Sequence, residues 1–547
     1  MRRVAFPLSI VLLGLLAFLA WMHTAVLWPR NVGWLLTGDD RGQSAIGLAA
    51  YLRAGGPWPG LHEPLLAAPE GMTLLFTDSI PLLGELLKPV AGLLPVGGQY
   101  IGLWHLTCTL LQAGFAAALV RRHAPDALAA WCGAALLTLM PALLNRYGHA
   151  SLCAQWLLLW ALWIFTDARR VRQPGWWAAV LAVAALVHSY LFVMVGAFWA
   201  GAMLERLVRE PARVRTLIGG VAALLPAAAI IVAHGMFAGP YAATHSYGGF
   251  PAALDAWWNP ANPDYAALMP SSPRAPDGRG FEGLQYLGAG LLALTVLMIA
   301  QVATGRLDPQ RRDVLRRLLW LVPPFVPLAI LAVGPTPLWR GVPLAVVHLP
   351  PALIDMLDFV RASGRLIWPA TYTLAFAAVV AATGWARATL VLGVAVAIQV
   401  IDLTPMAAAI RHTSRRADDP RLFTRTVDPR WTTLVARSSG VQFAPAEPYV
   451  DLQLMEEIGW RAVVACRPVR YFYASREAVA TRARIDADSA AFAAGRIDPT
   501  RLYVLLDAAP VPAGLAARVR RMDGVRFIPP SRPAPAPACP SSPRSAS

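Results

Sequence analysis

The chain has 547 residues, 56% of them hydrophobic and only 15% charged, with a mean hydropathy of +0.49. That balance excludes an ordinary soluble protein of this length. The formal charge of +16 does not point to nucleic acid, because much of the arginine lies in short loops between apolar runs, where the positive-inside rule puts it. Lys88 is the only lysine, which fits a GC-rich bacterial genome more than a function. None of the five cysteines has metal-ligand spacing. Cys108, Cys132 and Cys153 fall in apolar runs, whereas Cys466 and Cys539 lie in the polar C-terminal part, where an oxidising compartment would let them pair.

Met1-Arg2-Arg3 followed by apolar residues to Leu27 reads as an uncleaved first membrane helix, since no small-residue cleavage site follows. Further apolar stretches approach the ~20 residues that cross a bilayer core. They run over 97–120, 126–145, 150–167, 176–189, 191–207, 216–236, 284–303, 317–334, 366–385 and 388–405. Residues 176–205 could form one tilted helix, but two short helices with a turn at His188-Ser189-Tyr190 keep the arginines of 206–215 on the cytoplasmic side. The expectation is an α-helical polytopic membrane protein of about eleven transmembrane helices, in residues 1–403, with its N-terminus cytoplasmic.

The loops are of two kinds. Arg121-Arg122, Arg169-Arg170, 206–215 and 306–317 are short and basic. Loops 30–95, 237–283 and 335–365 are longer and carry acids, aromatics, His, Pro and Gly. The long loops fall on the outer face and are where chemistry is expected. From 404 the apolar runs stop, and strand-like pieces (441–443, 462–465, 502–506) alternate with helical ones (474–494, 512–521). This predicts a small periplasmic α/β domain over 404–528. A tail rich in Pro, Ala and Ser, 529–547, is expected to be disordered.

Several motifs at outer helix ends carry reactive groups. Asp39 and Asp40 follow Gly38, and Asp78 stands in Thr77-Asp78-Ser79-Ile80-Pro81; either is a cap sequence or a partly desolvated base. Arg146 and His149 share a tight turn suited to a phosphate or to anchoring at the interface. His188 and Tyr190 share another turn, and Glu282 and Tyr286 stand at the entry to a span. Arg361 and Arg365 flank Ser363-Gly364, where the missing Cβ allows close approach to a ligand. Walker A, G-x-G-x-x-G in strand–helix context, H-E-x-x-H and G-x-S-x-G are all absent, so nucleotide hydrolysis, dinucleotide redox and serine hydrolase chemistry have no support.

Taken in order, Gly38-Asp39, 77–82, 99–104, 146–149, 188–190, 282–288 and 361–365 resemble a family of bacterial integral membrane proteins. That family looks like the GT-C superfamily of polyprenyl-phosphate-sugar-dependent glycosyltransferases. The resemblance implies an inverting transfer at the periplasmic face of the inner membrane. A polyprenyl-phosphate sugar would be the donor, and a glycan, lipid or protein the acceptor. It makes Asp39 the best match for the catalytic base, with Asp40 a departure that leaves the choice open and Asp78 a further candidate. Family members tend to carry a His soon after the Gly-Asp pair, where this chain has Arg41-Gly42-Gln43-Ser44.

In this reading Arg146, His149, Arg361 and Arg365 hold the donor phosphate. His188, Tyr190, Glu282 and Tyr286 contact substrate. A divalent cation, Mg or Mn, is compatible with the scheme and not required by it. The rival readings are a transporter or flippase of lipid-linked sugar or polysaccharide, and a non-catalytic membrane scaffold. Transporters place charges near the bilayer midplane, whereas here they gather at helix ends.

Overall fold

The computed structural model describes residues 2–539, apart from 56–57, 237–238, 273–278, 507–508, 536 and 538. It is mostly helical. Arg2–Trp21 packs along Ile101–Val120, which in turn packs against Ala127–Thr138 and Trp156–Phe165. Pro174–Val187, Ser189–Arg209 and Arg213–Ala233 form a second group, and Ala289–Ala303, Trp368–Ala382 and Ala388–Asp402 a third.

Among the described residues, five helices have the length and apolarity to cross a membrane: Ile101–Val120, Ser189–Arg209, Arg213–Ala233, Pro309–Val333 and Ser363–Ala382. A sixth is added if Ala388–Asp402 and Thr404–Asp418, bent by 51°, act as one. The expected count of eleven full spans is therefore not reached. The other expected spans are apolar helices of 10–17 residues, cut short by local chemistry. Pro141, which cannot donate a backbone hydrogen bond, follows the end of Ala127–Thr138. Gly288, at φ 85, immediately precedes Ala289–Ala303. The turn at His188 is present as expected: its extended backbone ends Pro174–Val187, and its ring caps Ser189–Arg209 by accepting from Tyr190 N at 3.1 Å. Apolar side chains on Arg213–Ala233 stay uncovered, with Val214, Ile218 and Val232 at 71%, 66% and 79% exposure. Such a surface fits a lipid environment and would be a liability in water.

The segment between the first two long helices folds into a polar cap. It holds the helix Asp40–Arg53, a short antiparallel ladder pairing His62–Glu63 with Met72–Thr73, and the helix Pro81–Leu87. Lys88, the lone lysine, reaches back to the carbonyls of Tyr51 and Ala54, the latter at 2.6 Å. It thus caps the C-terminus of Asp40–Arg53, where a cation complements the helix dipole.

The C-terminal unit is a four-stranded sheet in the order Val441–Ala444, Leu502–Leu505, Val525–Ile528, Arg520–Met522. The first pair is parallel, with Gln442 opposite Tyr503, and the other two are antiparallel. Two expectations need correction. Residues 462–465 are not a strand but the end of the helix Leu452–Val464, which Asp451 caps through Leu454 N at 2.9 Å. A short apolar run fits either element, and here capping and helical periodicity decide. The piece 512–521 is a 3-10 turn, Ala513–Arg518, leading into a strand. Cys466 and Cys539 are disulfide-bonded, and Arg467 donates to Pro535 O at 2.8 Å, so the start of the expected disordered tail is held at two points. Its remainder, 540–547, lies outside the described residues.

This unit is not a separate bead on a linker. Leu452–Val464 packs on Asp40–Arg53. Val469 N donates to Leu65 O at 2.7 Å, Ala68 N to Val469 O at 3.0 Å, and Ser475 N to Phe76 O at 2.7 Å. Arg484 pairs with Glu70 at 2.7 Å. The polar cap is thereby clasped between the helices and the C-terminal sheet.

Candidate functional site

The ends of several apolar helices converge beneath the polar cap on one buried carboxylate, Glu282. Arg365 Nε donates to Glu282 Oε2 at 2.6 Å, and Arg146 pairs with the same oxygen from the other side. Arg146 also donates to Phe281 O at 2.6 Å, and Asn145 Nδ2 to the same oxygen at 2.8 Å. The turn at 361–365 reaches Glu282 because Gly364 sits against Gly283; a Cβ there would lie 2.7 Å from the Gly283 Cα. Burial works against the Glu282 charge, but Arg146 and Arg365 outweigh it and hold the carboxyl well below the usual range. Two guanidiniums on one carboxylate leave the group with a net positive charge, at a buried position where screening by water is weak.

Asp40 and His149 stand above this clamp. His149 Nε2 lies 2.9 Å from Asp40 Oδ2 and 3.7 Å from Glu282 Oε1, so the imidazole bridges the half-buried acid and the buried one. The other Asp40 oxygen accepts from Tyr473 of the C-terminal unit at 3.1 Å. Burial raises the Asp40 pKa, yet His149 and Tyr473 together lower it further, and the net shift is down. Asp40 is held toward its ionised form and its side chain remains 27% exposed.

Asp39 is engaged differently. It caps Asp40–Arg53 by accepting from Arg41 N at 2.9 Å, and its carboxylate is forked by the Arg41 side chain. Behind it lies Glu456, fully buried, which accepts from Gly38 N at 2.7 Å while its other oxygen has no partner among the described residues. Gly42 makes this contact possible: a Cβ there would come within 2.2 Å of the Glu456 carboxyl carbon. Burial, reinforced by the Asp39 charge, pushes Glu456 up to about 9, so it is neutral at pH 7.

The other expected site residues divide. Asp78 ends a 3-10 turn at φ 48, a left-handed conformation in which Asp is among the better-tolerated residues. Its Oδ1 is 3.9 Å from His188 Nε2. Burial raises the Asp78 pKa against the pull of His149 and Arg365. Tyr190 accepts from Ala362 N at 3.0 Å and lies under the Arg365 guanidinium, 5.3 Å from its ring centroid, tying the 188–190 turn to the 361–365 turn. Among the described residues, the Arg361 side chain pairs with no acid. Tyr286 turns elsewhere: its hydroxyl donates to Asp402 Oδ2 at 2.5 Å, in a joint that also takes Ala289 N at 2.9 Å.

Residues 11–404 match the family described as "Domain of unknown function (DUF6311)", and residues 430–530 match the "DUF6311 C-terminal domain". The chain belongs to the DUF6311 family. No curated protein matches it. The gap between the two matched stretches, 405–429, brackets the change in composition after 404, and the DUF6311 C-terminal domain is the part that supplies Tyr473 and Glu456.

Among the described residues of this DUF6311 protein, no three His, Cys, Asp or Glu side chains converge as a metal-ligand set. Glu282 suits a cation poorly, since two guanidiniums already oppose it. Sequence reasoning singled out Asp40, Asp78, Arg146, His149, His188, Tyr190, Glu282, Arg361 and Arg365 by local motif, and the fold gathers them. It missed Tyr473 and Glu456, which stand in a stretch with no motif of their own.

Proposed function

We propose that this protein is a membrane glycosyltransferase of the GT-C type. It moves a sugar from a polyprenyl phosphate to an acceptor at the periplasmic face of a bacterial inner membrane, inverting the anomeric centre. The observation that carries the reading is the line Asp40–His149–Glu282, a half-buried acid held toward its ionised form and backed by a buried, net positive clamp at the ends of apolar helices. A transferase of this kind needs a base on the acceptor side and positive charge where the phosphate leaves, and the line supplies both.

Asp40 takes the proton of the acceptor hydroxyl. The freed oxygen attacks the anomeric carbon through an oxocarbenium-like transition state, while the bond from that carbon to the phosphate oxygen breaks and the electron pair departs with the polyprenyl phosphate. Arg361, which makes no ion pair among the described residues, the Arg146–Arg365–Glu282 clamp and His149 meet the developing charge. Asp40 is preferred to Asp39 as the base because Arg41 forks the latter. Asp40 is driven down, which favours the ionised form a base needs, while burial drives Asp78 up. Asp78 orients the acceptor. No step is routed through a metal.

Two features support the orientation. The arginine-rich loops meet at the other helix ends, where Arg172 pairs with Glu210 at 2.8 Å and Arg317 with Glu205 at 3.1 Å, as a cytoplasmic face requires. The Cys466–Cys539 bond suits an oxidising compartment. The test is transfer from labelled polyprenyl-phosphate sugars in membranes carrying wild type, Asp40→Asn or Asp39→Asn. Transfer should fall by roughly 100-fold or more in Asp40→Asn, the scale of a lost general base, and far less in Asp39→Asn. Full activity in Asp40→Asn, or no transfer from any donor by folded wild type, overturns the reading.

A further inference from the structure

The chain leaves one candidate span, Pro309–Val333, and enters another, Ser363–Ala382. Both feet of the connection 334–362 therefore stand at the same membrane surface. Its sequence is unusual for a loop in water. From Gly334 to Ile354 it carries no acid, and its only basic residues are Arg340 and His348.

The backbone of this connection is held in place. Arg340 and Gly341 both take positive φ, 49 and 78, as a two-residue hairpin turn requires. Leu338 then pairs with Pro343 and Trp339 with Val342. Leu254 N donates to Leu338 O at 2.8 Å, Leu344 N to Pro337 O at 2.9 Å and Val347 N to Pro335 O at 2.8 Å. Further on, the buried Asp358 accepts from Thr244 N and Ser246 N, each at 3.0 Å. Between these anchors the apolar side chains face outward. Val342, Leu344, Val346 and Val347 are 62%, 61%, 59% and 53% exposed. An apolar patch on an ordered backbone marks an interaction surface.

Three observations name its occupant as lipid. The patch follows a surface already suited to lipid: Val322, Val326 and Ile330, four residues apart and so on one helix face, stay exposed to the last turn before Gly334. Trp258 and Trp339, both exposed, meet edge to face with ring centroids 5.7 Å apart. Such rings, apolar with one polar edge, collect where a membrane meets water. The charges are drawn away from the patch. Arg340 Nε donates to Ser272 Oγ at 3.2 Å, and Asp355, the first acid beyond Gly334, is matched by His245 at 2.5 Å.

We propose that the arm 342–347 is a strap seated in the lipid leaflet on the side of the charged cluster. Its four large apolar side chains enter the acyl region, with Trp339 at headgroup level. The strap lies at the interface and does not cross it, because an irregular backbone needs water or headgroups as partners. It runs on through Asp358 to the turn 361–365, so its seating sets the depth at which that turn meets the membrane. The inference rests on the chain lying in a membrane and not on the transfer reaction.

The experiment is site-specific photocrosslinking of the full-length protein in bacterial membranes. p-Benzoylphenylalanine replaces Val346, Ile330 as the lipid-facing standard, or the exposed Val427 of the C-terminal unit as the water-facing one. The irradiated protein is purified and weighed by mass spectrometry. Position 346 should give phospholipid adducts in a yield comparable to position 330, and position 427 should give none. With the probe moved to position 344, Val346→Asp plus Val347→Asp should cut the adduct yield roughly 10-fold, because carboxylates resist entry into the leaflet. The melting temperature in detergent should not change, since both valines are exposed. Lipid adducts at 330 but not at 346 overturn the inference, as do adducts of 346 to a second copy or to another protein. So does a yield that the two aspartates leave unchanged, or a melting temperature that they lower. Failure at 330 as well overturns the membrane placement and the inference with it. Activity enters none of these readouts, so a failed transfer assay leaves the strap standing.

Discussion

Tyr473 reaches Asp40 across 433 positions of sequence, its hydroxyl donating to the carboxylate at 3.1 Å. One side of the candidate site is therefore supplied by the C-terminal unit. Tyr473→Phe removes the donor and keeps the ring. The hydrogen bond lowers the Asp40 pKa, so its loss moves that pKa up. Asp40 must be ionised to act as a base, so the acid limb of the pH–rate profile should shift to higher pH. The rate at neutral pH should fall only a few-fold. A profile identical to wild type would reduce Tyr473 to packing.

Glu282 is the hub of the cluster, and its removal tests structure before chemistry. Glu282→Gln leaves Arg146 and Arg365 buried with no counter-charge. Breaking a buried ion pair from one side costs about 3–5 kcal/mol, so the variant should melt well below wild type in detergent. Arg361→Gln removes a cation that pairs with no acid among the described residues. It should leave the melting temperature within a degree or two while lowering transfer. Similar stability loss in both would mean that Arg361 is part of the buried framework.

The interface between the polar cap and the C-terminal unit should loosen at alkaline pH. Glu456 has its folded-state pKa raised to about 9 from an ordinary 4.5. The folded state thus holds a proton that the unfolded chain releases between those values. Stability from this group is fully present below pH 4.5 and declines as pH rises toward 9. Glu456→Gln keeps an acceptor for Gly38 N and cannot ionise. Limited proteolysis between pH 6 and pH 9 should show wild type becoming more cleavable at the 430–530 junctions, with Glu456→Gln nearly flat. Parallel curves would mean that Glu456 is already ionised at pH 6.

What the sequence made legible was local. The break at His188 followed from where the neighbouring arginines had to lie, and the turns at 146–149, 282 and 361–365 stood out as groups of charged and titratable residues at outer helix ends, where anchoring at the interface was an equal alternative. Their convergence on one point was not legible, since nothing in a turn sequence says which other turn it faces. Tyr286 illustrates this: it stands four residues from Glu282 but turns to Asp402. Tyr473 and Glu456 were invisible for a related reason. Their chemistry exists only once Leu452–Val464 packs on Asp40–Arg53, and one chain carries no record of that pairing. The count of eleven spans is not confirmed, because apolar runs interrupted by Pro141 or Gly288 read as long in composition but form shorter helices among the described residues.

The proposed orientation can be checked through the cysteines. Cys108, Cys132 and Cys153 are buried thiols, whereas Cys466 and Cys539 are bonded to each other. Intact cells treated with a membrane-impermeant maleimide should therefore show almost no labelling of this protein. After a brief exposure to reductant, Cys539 should become reactive, whereas Cys466 is itself buried and should label far less. Cys466→Ser should leave Cys539, the less buried of the two, as a single reactive thiol without any reductant. Labelling of that variant only after the cells are permeabilised would put the C-terminal unit in the cytoplasm, and the periplasmic transfer reaction would fall with it.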